Sequence, residues 1–533
     1  MPTLNWIGKD KVINHHNEVP YRVLERKYSY ENGKKTNEGN GSENMIIHGD
    51  NLEALKALLP KYEGKIKCIY IDPPYNTGEE GWIYNDNLND SKIKKWLGQV
   101  VGKEGEDLSR HDKWLCMMYP RIKLLCKLLA DNGVIFISID DNEYSNLKLL
   151  CDEILGCRNF ITTFIWEKRL NRENRKVVSS RHDYILCYTK NKIEDRRPLR
   201  QLSMSGEALN RYSNPDNDPH GPWKSDPATA QAGHATQGQF YNLIVPSGKE
   251  HKLPAGRCWL YTEEKMMEEI AAGRIWLGKD GNNTPRKKTY LYDKDRGLTP
   301  ETIWFASDVS TNERAKNELK VIFPETIPFT TPKPHELIEL IMQLCTEEND
   351  IVLDSFAGSG TTAHAVLNMN KADGGNRKFI LIEMMDYAES ITAERVRRVI
   401  DGYGEDNKKV DGTGGNFSFY ELGERLILEN GDLNPSADVE KICDYIWYME
   451  TKTRYENSVA DDNAYFLSTY NDVAYYFYYE KETETTLDRN FLATIKTKAD
   501  GYVVYADMCA LSDELLQKYN ITFKKIPRDI AKL

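Results

Sequence analysis

The chain has 533 residues, of which 40% are hydrophobic and 29% are charged, and its formal net charge is −11. This length allows two to four domains, and the composition is typical of a globular protein. The chain contains no apolar run of about eighteen residues and begins with a polar segment, so we expect no membrane span, no secretory signal and a cytoplasmic location.

Taken in chain order, the predicted elements begin after residues 30–44, which are rich in glycine, asparagine and lysine and predict a loop. Short apolar runs then alternate with helical patterns. Strands are predicted at 66–72, 133–140 and 160–168, and helices at 115–132 and 144–156. This alternation favours a parallel sheet built from βαβ units.

The alternation breaks down between about 170 and 320 and resumes at residue 335. Helices are then predicted at 335–345 and 361–370, and strands at 350–356 and 378–384. From about residue 405, an aromatic-rich stretch and a strand at 501–507 predict a separate small domain. We therefore predict an α/β fold, with a doubly wound, Rossmann-like sheet, a long irregular insert and a small C-terminal α/β domain.

The cysteines and the basic residues are the two compositional features with a bearing on ligands. Ten cysteines are scattered along the chain without a CxxC pair, which predicts buried free thiols and no metal site. Residues 167–200 hold eleven Lys or Arg against five acids, and Arg286, Lys287 and Lys288 form a shorter cluster. Taken alone, each cluster is best interpreted as a solvated charged face, although a local basic patch also suits phosphate.

A glycine-containing loop, DSFAGSGTT from Asp354 to Thr362, follows a predicted strand and opens a predicted helix. Gly358 and Gly360 allow a sharp turn and close approach of a ligand, and the helix N-terminus offers free N–H groups. Glu383, at the end of the next strand, is placed to accept hydrogen bonds from ribose hydroxyls. The loop matches neither GxGxxG nor a P-loop, and its Asp354 would repel a pyrophosphate. It therefore favours a cationic cofactor without phosphates, and S-adenosylmethionine fits that description.

A second loop, Asp72-Pro73-Pro74-Tyr75, follows the strand predicted at 66–72. Its two prolines stiffen the backbone. Asp72 and the Pro73 carbonyl can accept the two N–H bonds of an exocyclic amine, which frees the nitrogen lone pair for attack on a methyl sulfonium. Tyr75 offers a face on which an extruded base can stack. For this loop alone, a structural Asp-Pro-Pro turn is the alternative.

The DPPY sequence followed by NTG, together with DSFAGSGTT, resembles the amino-methyltransferases that act on DNA. The catalytic loop precedes the cofactor loop with a long insert between them, and this order resembles the beta class. The whole set of motifs resembles the modification (Mod) subunit of Type III restriction–modification systems. The other stretches that carry the resemblance are HGDNLEALKAL at 48–58, HDKWLCMMYPR at 111–121, GVIFISIDDNEY at 133–144, FIWEKR at 164–169, FTTPKPHELI at 329–338 and VVYAD with ITFKKIPRDI within 503–530.

The resemblance implies a site-specific, adenine-specific DNA methyltransferase that flips one adenine out of the duplex and methylates its N6 amine. It implies that Asp50 contacts the adenine ring of S-adenosylmethionine and that Lys333 and Pro334 line its methionine end. The implied catalytic residues are Asp72, Pro73, Pro74 and Tyr75, and the other implied cofactor residues are Asp354, Phe356, Gly358, Gly360, Thr361 and Glu383. No metal is implied for the methyl transfer.

The resemblance also implies a domain organisation and partners. It implies an N-terminal arm (1–44), a catalytic half (45–165), a target recognition domain (166–325), a cofactor-binding half (326–404) and a C-terminal domain (405–533) with possible dimer contacts. The implied partners are duplex DNA in the nucleoid, a second copy of the chain and a restriction subunit with helicase and nuclease activity. The predicted DNA-binding residues are Lys168, Arg169, Arg172, Arg175, Lys176 and Arg181.

Three alternatives stay open at this point. An N4-cytosine methyltransferase would use the same chemistry on another amine, although aspartate at position 72 favours adenine over cytosine. An RNA amino-methyltransferase is disfavoured by the long insert and the C-terminal resemblance. A non-catalytic DNA-specificity subunit is disfavoured because Asp72, Gly358 and Glu383 are all in place.

Overall fold

The computed structural model describes residues 4–31, 33–39, 41–77, 110–174, 177–193, 197–204, 206–292, 297–325, 329–428, 432–453, 455, 463–527 and 530. The chain divides into two compact units, Met1–Leu199 with Glu301–Leu533, and Arg200–Pro300. The second unit covers fewer residues than the predicted insert, which extends over residues 166–325. None of the helices in the described ranges is long and apolar enough to cross a membrane.

An eleven-stranded sheet forms the centre of the first unit. Its strands, in chain order, are β1 (Arg22–Glu31), β2 (Lys34–Thr36), β3 (Met45–His48), β4 (Ile66–Ile71), β5 (Leu129–Ile139), β6 (Phe160–Glu167), β7 (His182–Thr189), β8 (Ile303–Trp304), β9 (Ile351–Asp354), β10 (Lys378–Glu383) and β11 (Asn416–Arg425). Their order across the sheet is β8-β6-β7-β5-β4-β9-β10-β3-β11-β1-β2. The strands from β5 through β4, β9, β10 and β3 to β11 are parallel, whereas β7 and β1 pair antiparallel with their neighbours.

The central strands are apolar because helices cover both faces of a parallel sheet. In β4, which reads IKCIYI, every residue but one is buried. β4 pairs with β9, in the register Val352 with Cys68. From this pair the chain proceeds outward in opposite directions, to β5 on one side and to β10 on the other. Such a switch point leaves a crevice at the carboxyl ends of the strands, where ligands bind in doubly wound sheets.

Eight longer helices lie in the described part of this unit. They are α1 (Asn51–Tyr62), α2 (Arg110–Leu128), α3 (Tyr144–Cys151), α4 (Asn312–Ile322), α5 (His335–Cys345), α6 (Thr361–Asp373), α7 (Glu394–Asp401) and α8 (Val439–Thr451), with short helices at Lys9–Val12, His15–Glu18, Ala306–Val309, Arg489–Thr494 and Asp513–Lys518. The predicted alternation of strands and helices is confirmed. The predicted helix end at 132 is wrong, because β5 begins at Leu129, which already pairs with Ile66.

The predicted loop at 30–44 is also wrong over its first part. Residues up to Glu31 belong to β1, and Lys34 begins β2, which pairs with it antiparallel. Gly33, between the two strands, has φ of 73°, a conformation that glycine adopts readily in a hairpin turn. The turn composition was therefore interpreted correctly, but the flanking strands were missed. Charged residues hide them, because residues 25–27 in the middle of β1 and both lysines of β2 are exposed.

The second unit, Arg200–Pro300, has its own hydrophobic core around Leu243, Trp259 and Met266. A three-stranded sheet contains Lys288, whose buried ammonium lies between the carboxylates of Asp216 and Asp218. The strands of this unit are Trp223–Pro227, Thr229–Gln231, Leu243–Ile244, Glu250–His251, Arg257–Trp259, Ile275–Trp276 and Arg286–Tyr290, and its helices are Gly206–Leu209 and Glu263–Ala271.

The C-terminal residues of the first unit form a further four-stranded sheet. Its strands, in spatial order, are β12 (Phe466–Tyr470), β13 (Val473–Phe477), β14 (Gly501–Ala506) and β15 (Ile521–Lys525). The aromatic-rich stretch forms the hairpin of β12 and β13, which turns at Asn471 and Asp472, both with positive φ. Tyr476 in this hairpin is fully buried, so the aromatic residues supply a core here.

Candidate active site

A cavity of about 520 Å³ lies at the carboxyl ends of β4, β9 and β10, in the crevice between the two predicted loops. Neighbouring parallel strands end at the same edge of a sheet, so the β4–β9 pairing brings together loops that are far apart in sequence. The cavity is lined by residues 72–75 of the first loop, by residues 354–359, 361 and 362 of the second, and by Lys168, Asp183, Asn312, Lys333, Glu383 and Met384.

Hydrogen bonds from neighbouring buried side chains hold the DPPY loop in place. The indole of Trp114, fully buried on α2, donates a hydrogen bond of 2.7 Å to the Pro74 carbonyl. Asn76, which is buried with φ of 58°, donates to the carboxylate of Glu143 and to the Arg110 carbonyl. With two prolines in the loop itself, these contacts fix the position of Asp72.

Asp72 has one occupied and one unoccupied carboxylate oxygen. Its Oδ2 accepts a hydrogen bond of 2.5 Å from the Lys333 ammonium. Its Oδ1 is buried and has no hydrogen-bond partner among the described residues. A buried acceptor without a donor costs free energy, which an N–H group of a ligand in the cavity would recover. A second buried acceptor of this kind, Asn312 Oδ1, lies on the same cavity wall.

Tyr75 belongs to a network of charged residues that line the cavity. Its hydroxyl donates to Asp183 Oδ2 at 3.4 Å, and Lys168 Nζ lies 2.6 Å from Asp183 Oδ1. The Lys333 ammonium lies 5.0 Å from the centroid of the Tyr75 ring. Burial raises the pKa of Asp183, and Lys168 opposes this shift. Asp183 therefore fixes both an aromatic ring and a cation in the cavity that Asp72 lines.

The glycine loop has the tight conformation that its sequence predicts. Gly358 and Gly360 have φ of 52° and 82°, and a Cβ on Gly360 would meet the Thr392 carbonyl oxygen at 3.0 Å. Asp354 braces the loop from within, since it accepts hydrogen bonds from the Phe356 N–H at 3.0 Å and the Thr362 hydroxyl at 2.6 Å. The structure thus gives Asp354 a role in shaping the loop in addition to its place on the cavity wall.

Glu383 links the glycine loop to the end of β10. Its carboxylate accepts hydrogen bonds from the Gly358 N–H at 2.8 Å and the Met385 N–H at 2.9 Å. Burial and the nearby Asp354 raise the pKa of Glu383 to about 7, against the effect of these two N–H groups. Burial likewise raises the pKa of Asp354 to about 7. A ligand that brings hydrogen-bond donors or positive charge would favour the ionised forms of both acids and lower their pKa values.

Asp50 lies beside this cavity, in a neighbouring and more open one of about 1060 Å³. Its Oδ1 caps α1 through the Leu52 N–H at 2.8 Å, and its Oδ2 lies 3.6 Å from the Arg121 guanidinium. Met384 lines both cavities. Met384 is therefore the shared wall between the cavity that contains Asp50 and the cavity that contains Asp72.

The other predicted cofactor residues lie around the glycine loop. Pro334 occupies the position just before α5, Phe356 is half-buried and lines the cavity, and Thr361 is the first residue of α6. The Thr361 hydroxyl donates to the Lys333 carbonyl at 3.3 Å, which couples the Lys333 segment to the loop. All predicted cofactor residues except Asp50 and Pro334 therefore contact either the cavity or the loop that lines it.

Behind the glycine loop, Glu318, His335 and His364 approach one another closely enough to hold a metal ion. Their other contacts argue against one. The Arg395 guanidinium lies 3.1 Å from His364 Nδ1, and a guanidinium is a poor neighbour for a second cation. Although burial opposes protonation, the hydrogen bonds from His335 to Glu318 and Glu339 raise the pKa of His335 to about 10. This cluster therefore forms an ion-pair network that joins α4, α5, α6 and α7.

The predicted DNA-binding residues have different environments. Lys168 lies in the cavity and pairs with Asp183. Arg169 and Arg181 brace the connection between β6 and β7 through Glu173 and Glu167, and Arg172 is exposed. Arg175 and Lys176 lie outside the described residues. The basic stretch thus contains a residue of the site itself, which its position in a charge run did not indicate.

Sequence reasoning missed Asp183, Trp114 and Asn312. Asp183 carries a weak signal, because a charged residue at the start of the apolar run YILCY needs a partner if the strand is central. Trp114 lies in a stretch that was identified only as part of the family resemblance, without a role for the indole. Asn312 has no signal in the sequence, since an asparagine at the start of a helix is common for reasons of capping.

Comparison with known proteins agrees with this geometry. Residues 66–394 match the family model described as DNA methylase. The Mod subunit of the Type III restriction–modification enzyme StyLTI from Salmonella typhimurium is 36% identical over 71% of this chain and 57% of its own length. The Mod subunit of EcoP15I from Escherichia coli is 32% identical over 72% of this chain and 64% of its own length. The Type II methyltransferase M.KpnI from Klebsiella pneumoniae is 32% identical over 63% of this chain and 80% of its own length.

The similarity therefore spans less than two thirds of each of the two Mod subunits and most of M.KpnI. The matched family region contains both the DPPY loop and the glycine loop, together with all the residues between them. With the motifs, the sheet order and the sequence similarity in agreement, the chain belongs to the DNA methylase family.

Proposed function

We propose that this chain transfers a methyl group from S-adenosylmethionine to the N6 amine of an adenine in a short sequence of duplex DNA. The observation that carries the proposal is Asp72 Oδ1, a buried acceptor without a partner among the described residues that lies beside Tyr75 and next to the glycine loop. An exocyclic amine brings an N–H donor to this oxygen and a flat ring to Tyr75. Family membership and the Mod-like sequence support the same activity.

The residues around the glycine loop fit this cofactor. Glu383 would accept hydrogen bonds from the ribose, and Asp50, across Met384, would lie at the adenine ring. The acidic side chains of Asp72 and Asp354 suit a cationic group between them. When bound, the cofactor supplies a methyl group on a positively charged sulfur. The close packing of Gly358 and Gly360 would leave the backbone as the surface that approaches it.

Asp72 would activate the amine by accepting one N–H at Oδ1. The Pro73 carbonyl is the second acceptor, because the Pro74 carbonyl is already bonded to Trp114. Both hydrogen bonds draw the nitrogen toward tetrahedral geometry and withdraw its lone pair from the ring. Asp72 would then take the proton that the methylated nitrogen loses. Lys333, which now neutralises Oδ2, keeps this carboxylate oriented with Oδ1 toward the cavity.

The proposal extends to partners. Duplex DNA is the substrate, and the residues of the second unit, Arg200–Pro300, lie within the predicted target recognition domain. The Mod-like sequence supports association with a restriction subunit, and we further propose a homodimer in which one subunit reads the sequence while the other modifies the base. The basic stretch at 168–200 supports contact with the phosphate backbone.

The test is modification-sensitive long-read sequencing of DNA from a methylation-free host that expresses the chain. We expect N6-methyladenine at one short motif. Asp72→Ala should lower the rate of methylation by a factor of about 100 or more, because general acid–base groups typically contribute this much to a rate. Asp131→Ala is the matched control, because Asp131 is 86% exposed and far in the chain from both loops. This control should methylate like the wild type.

Each other result is informative. N4-methylcytosine at a motif would show that the target base is wrong while the reaction is right. Wild-type protein that leaves all bases unmodified, although purified protein is folded, would contradict the proposed activity. Full methylation by Asp72→Ala would contradict the role of Asp72.

A further inference from the structure

The connection between β6 and β7, residues 168–181, carries the two most exposed large hydrophobic side chains found among the described residues. Val177 is fully exposed at 105% and Val178 is 79% exposed. Single exposed apolar residues are common, but two adjacent valines without any packing are costly in water. Such a pair indicates a surface that is covered when the protein binds its ligand.

The described parts of this connection, residues 168–174 and 177–181, are braced by hydrogen bonds, and we name the connection the 168–181 hairpin. The Lys168 N–H donates to the Arg181 carbonyl at 3.0 Å, and Arg169 donates to the Ser180 carbonyl at 2.6 and 2.8 Å. The Glu173 N–H donates to the Ser179 hydroxyl at 2.9 Å. The valines therefore project from arms of defined structure, and inserting them into a ligand would order little additional backbone.

The hairpin begins at the active-site cavity. Its first residue, Lys168, and a residue just after its end in β7, Asp183, form an ion pair that lines the cavity together with Asp72. From Arg181 back to Val178 or Val177 is three or four residues, a reach of about 10–13 Å at about 3.3 Å per residue. A DNA groove is about 8 Å deep. An arm that starts beside the cavity can therefore carry the valines through a groove to the base stack.

The charge of the hairpin identifies the ligand that it fits. Residues 168–181 contain six Lys or Arg and a single acid, Glu173, in a chain whose net charge is −11. A lipid bilayer or an acidic protein would also attract positive charge. Neither of them, however, would make use of the adjacent cavity, which fits an amine base. Duplex DNA satisfies both features, since phosphates flank the bases on either side.

We propose that Val177 and Val178 form a wedge that enters the duplex at the target position and occupies the space left by the flipped base. The proposal rests on the proposed function and deepens it by assigning residues to the extrusion step. Extrusion breaks stacking and pairing, and apolar side chains inserted between base steps offset that loss. The valines act on the DNA stack and are positioning residues, whereas Asp72 and Tyr75 act on the extruded base.

The test uses short duplexes that carry the motif found by sequencing, with 2-aminopurine in place of the target adenine for one readout. This base fluoresces when it leaves the stack, and its extrusion does not depend on methyl transfer. Wild-type protein should raise the fluorescence, and the double variant Val177→Ala, Val178→Ala should raise it at least about fivefold less at saturating protein. The variant should also lower kcat by about tenfold or more on the paired duplex, with Kd for DNA changed less than about threefold.

Two controls separate a wedge from a structural role. A mismatch opposite the target adenine lowers the work of extrusion, so it should restore most of the turnover of the alanine variant. Val177→Leu, Val178→Leu keeps an apolar wedge and should retain activity. Met508→Ala removes another exposed apolar side chain, 51% exposed and far along the chain, and should change nothing.

The wedge is overturned if the alanine variant extrudes 2-aminopurine like the wild type, or if it loses turnover equally on the paired and mismatched duplexes. Failure of the proposed function looks different, because sequencing would then reveal no motif and the wild-type protein would methylate no DNA. The wedge, which rests on that function, would then fall with it.

Discussion

At the scale of single residues, Asp183 explains how the part of the cavity wall formed by Tyr75 and Lys168 is built. It is 1% exposed and holds Tyr75 by a hydrogen bond and Lys168 by an ion pair. A buried carboxylate is tolerated only when it is paired and hydrogen-bonded. Because both partners face the place where the base would bind, Asp183 links the stability of the wall to the geometry of the reaction.

We predict that Asp183→Asn lowers kcat for methylation by about tenfold, while KM for DNA changes little. The amide keeps the shape and the Tyr75 hydrogen bond but leaves the Lys168 charge unpaired. Asp183→Ala should in addition lower the free energy of unfolding by about 3–5 kcal/mol, as expected when one partner of a buried ion pair is removed. Steady-state kinetics and urea denaturation measure the two effects.

Asp131→Asn serves as the exposed control, since it changes the same side chain at a position that is 86% exposed. A proportional rise in KM with unchanged kcat for Asp183→Asn would assign Asp183 to DNA binding instead. Wild-type kinetics for this variant would remove Asp183 from the site.

At the scale of elements, α6 offers an internal comparison, because a glycine with positive φ precedes it and another follows it. Gly360 has φ of 82°, and a Cβ at this position would lie 3.0 Å from the Thr392 carbonyl oxygen, whereas Gly374 has φ of 73° and open space around it. The first glycine belongs to the glycine loop that lines the cavity and the second to an ordinary helix end. The two positions therefore separate backbone strain from loss of the site.

We predict that Gly374→Ala lowers the free energy of unfolding by about 1 kcal/mol, the usual strain of an L-residue in the left-handed region, and leaves cofactor binding unchanged. Gly360→Ala should show at least the same strain and should weaken binding of S-adenosylmethionine about tenfold or more. Isothermal titration and urea denaturation of both variants test this. Equal cofactor affinity in the two variants would contradict the proposed role of the loop.

The elements that sequence patterns predicted well are those buried on both sides. The strands β4, β9 and β10 are nearly continuous apolar runs, so their positions were predicted to within two or three residues. The penultimate strand β1 was missed because its exposed residues are charged and its apolar residues do not form a run. Hydrophobic periodicity is a signal of burial, and a strand near the edge of the sheet has too few buried residues for a distinctive pattern.

The two loops that line the cavity could be predicted from the sequence, whereas cavity residues from regular strands and helices could not. Loops with special chemistry, such as DPPY and DSFAGSGTT, use residue types that have few structural reasons to occur together. Asp183 and Asn312 come from a strand and a helix whose sequences are ordinary. Their importance arises from the pairing of β7 with β5 and from the position of α4, which local sequence does not encode.

At the scale of the whole molecule, two buried acids in one site make stability depend on pH. The pKa values of Asp354 and Glu383 are raised by burial to about 7. The folded state therefore holds more protons than the unfolded state between about pH 4 and pH 7. Their contribution to stability is present at low pH and is lost as the pH rises to about 7, which is opposite to the behaviour of a salt-bridged carboxylate.

We predict that Glu383→Gln reduces this pH dependence. The free energy of unfolding of the wild type, minus that of the variant, should fall by about 3 kcal/mol between pH 4.5 and pH 8. Groups that do not interact with Glu383 titrate in the same way in both proteins, so the difference reports Glu383 together with its interaction with Asp354. Denaturation without cofactor at four pH values measures it, and a difference that stays constant or rises with pH would contradict the assignment.

The sheet order has a consequence for the order in which the chain can fold. Ser29 in β1 is hydrogen-bonded to Ser418 in β11, at a separation of 389 residues. A ribosome that adds about 5–20 residues per second needs about 20–80 s to cover this interval. During that time β1 and its hairpin partner β2 have emerged, while β11 has not yet been synthesised. The side of β1 that pairs with β11 therefore stays open, and the nascent chain must keep this side from other strands until β11 emerges.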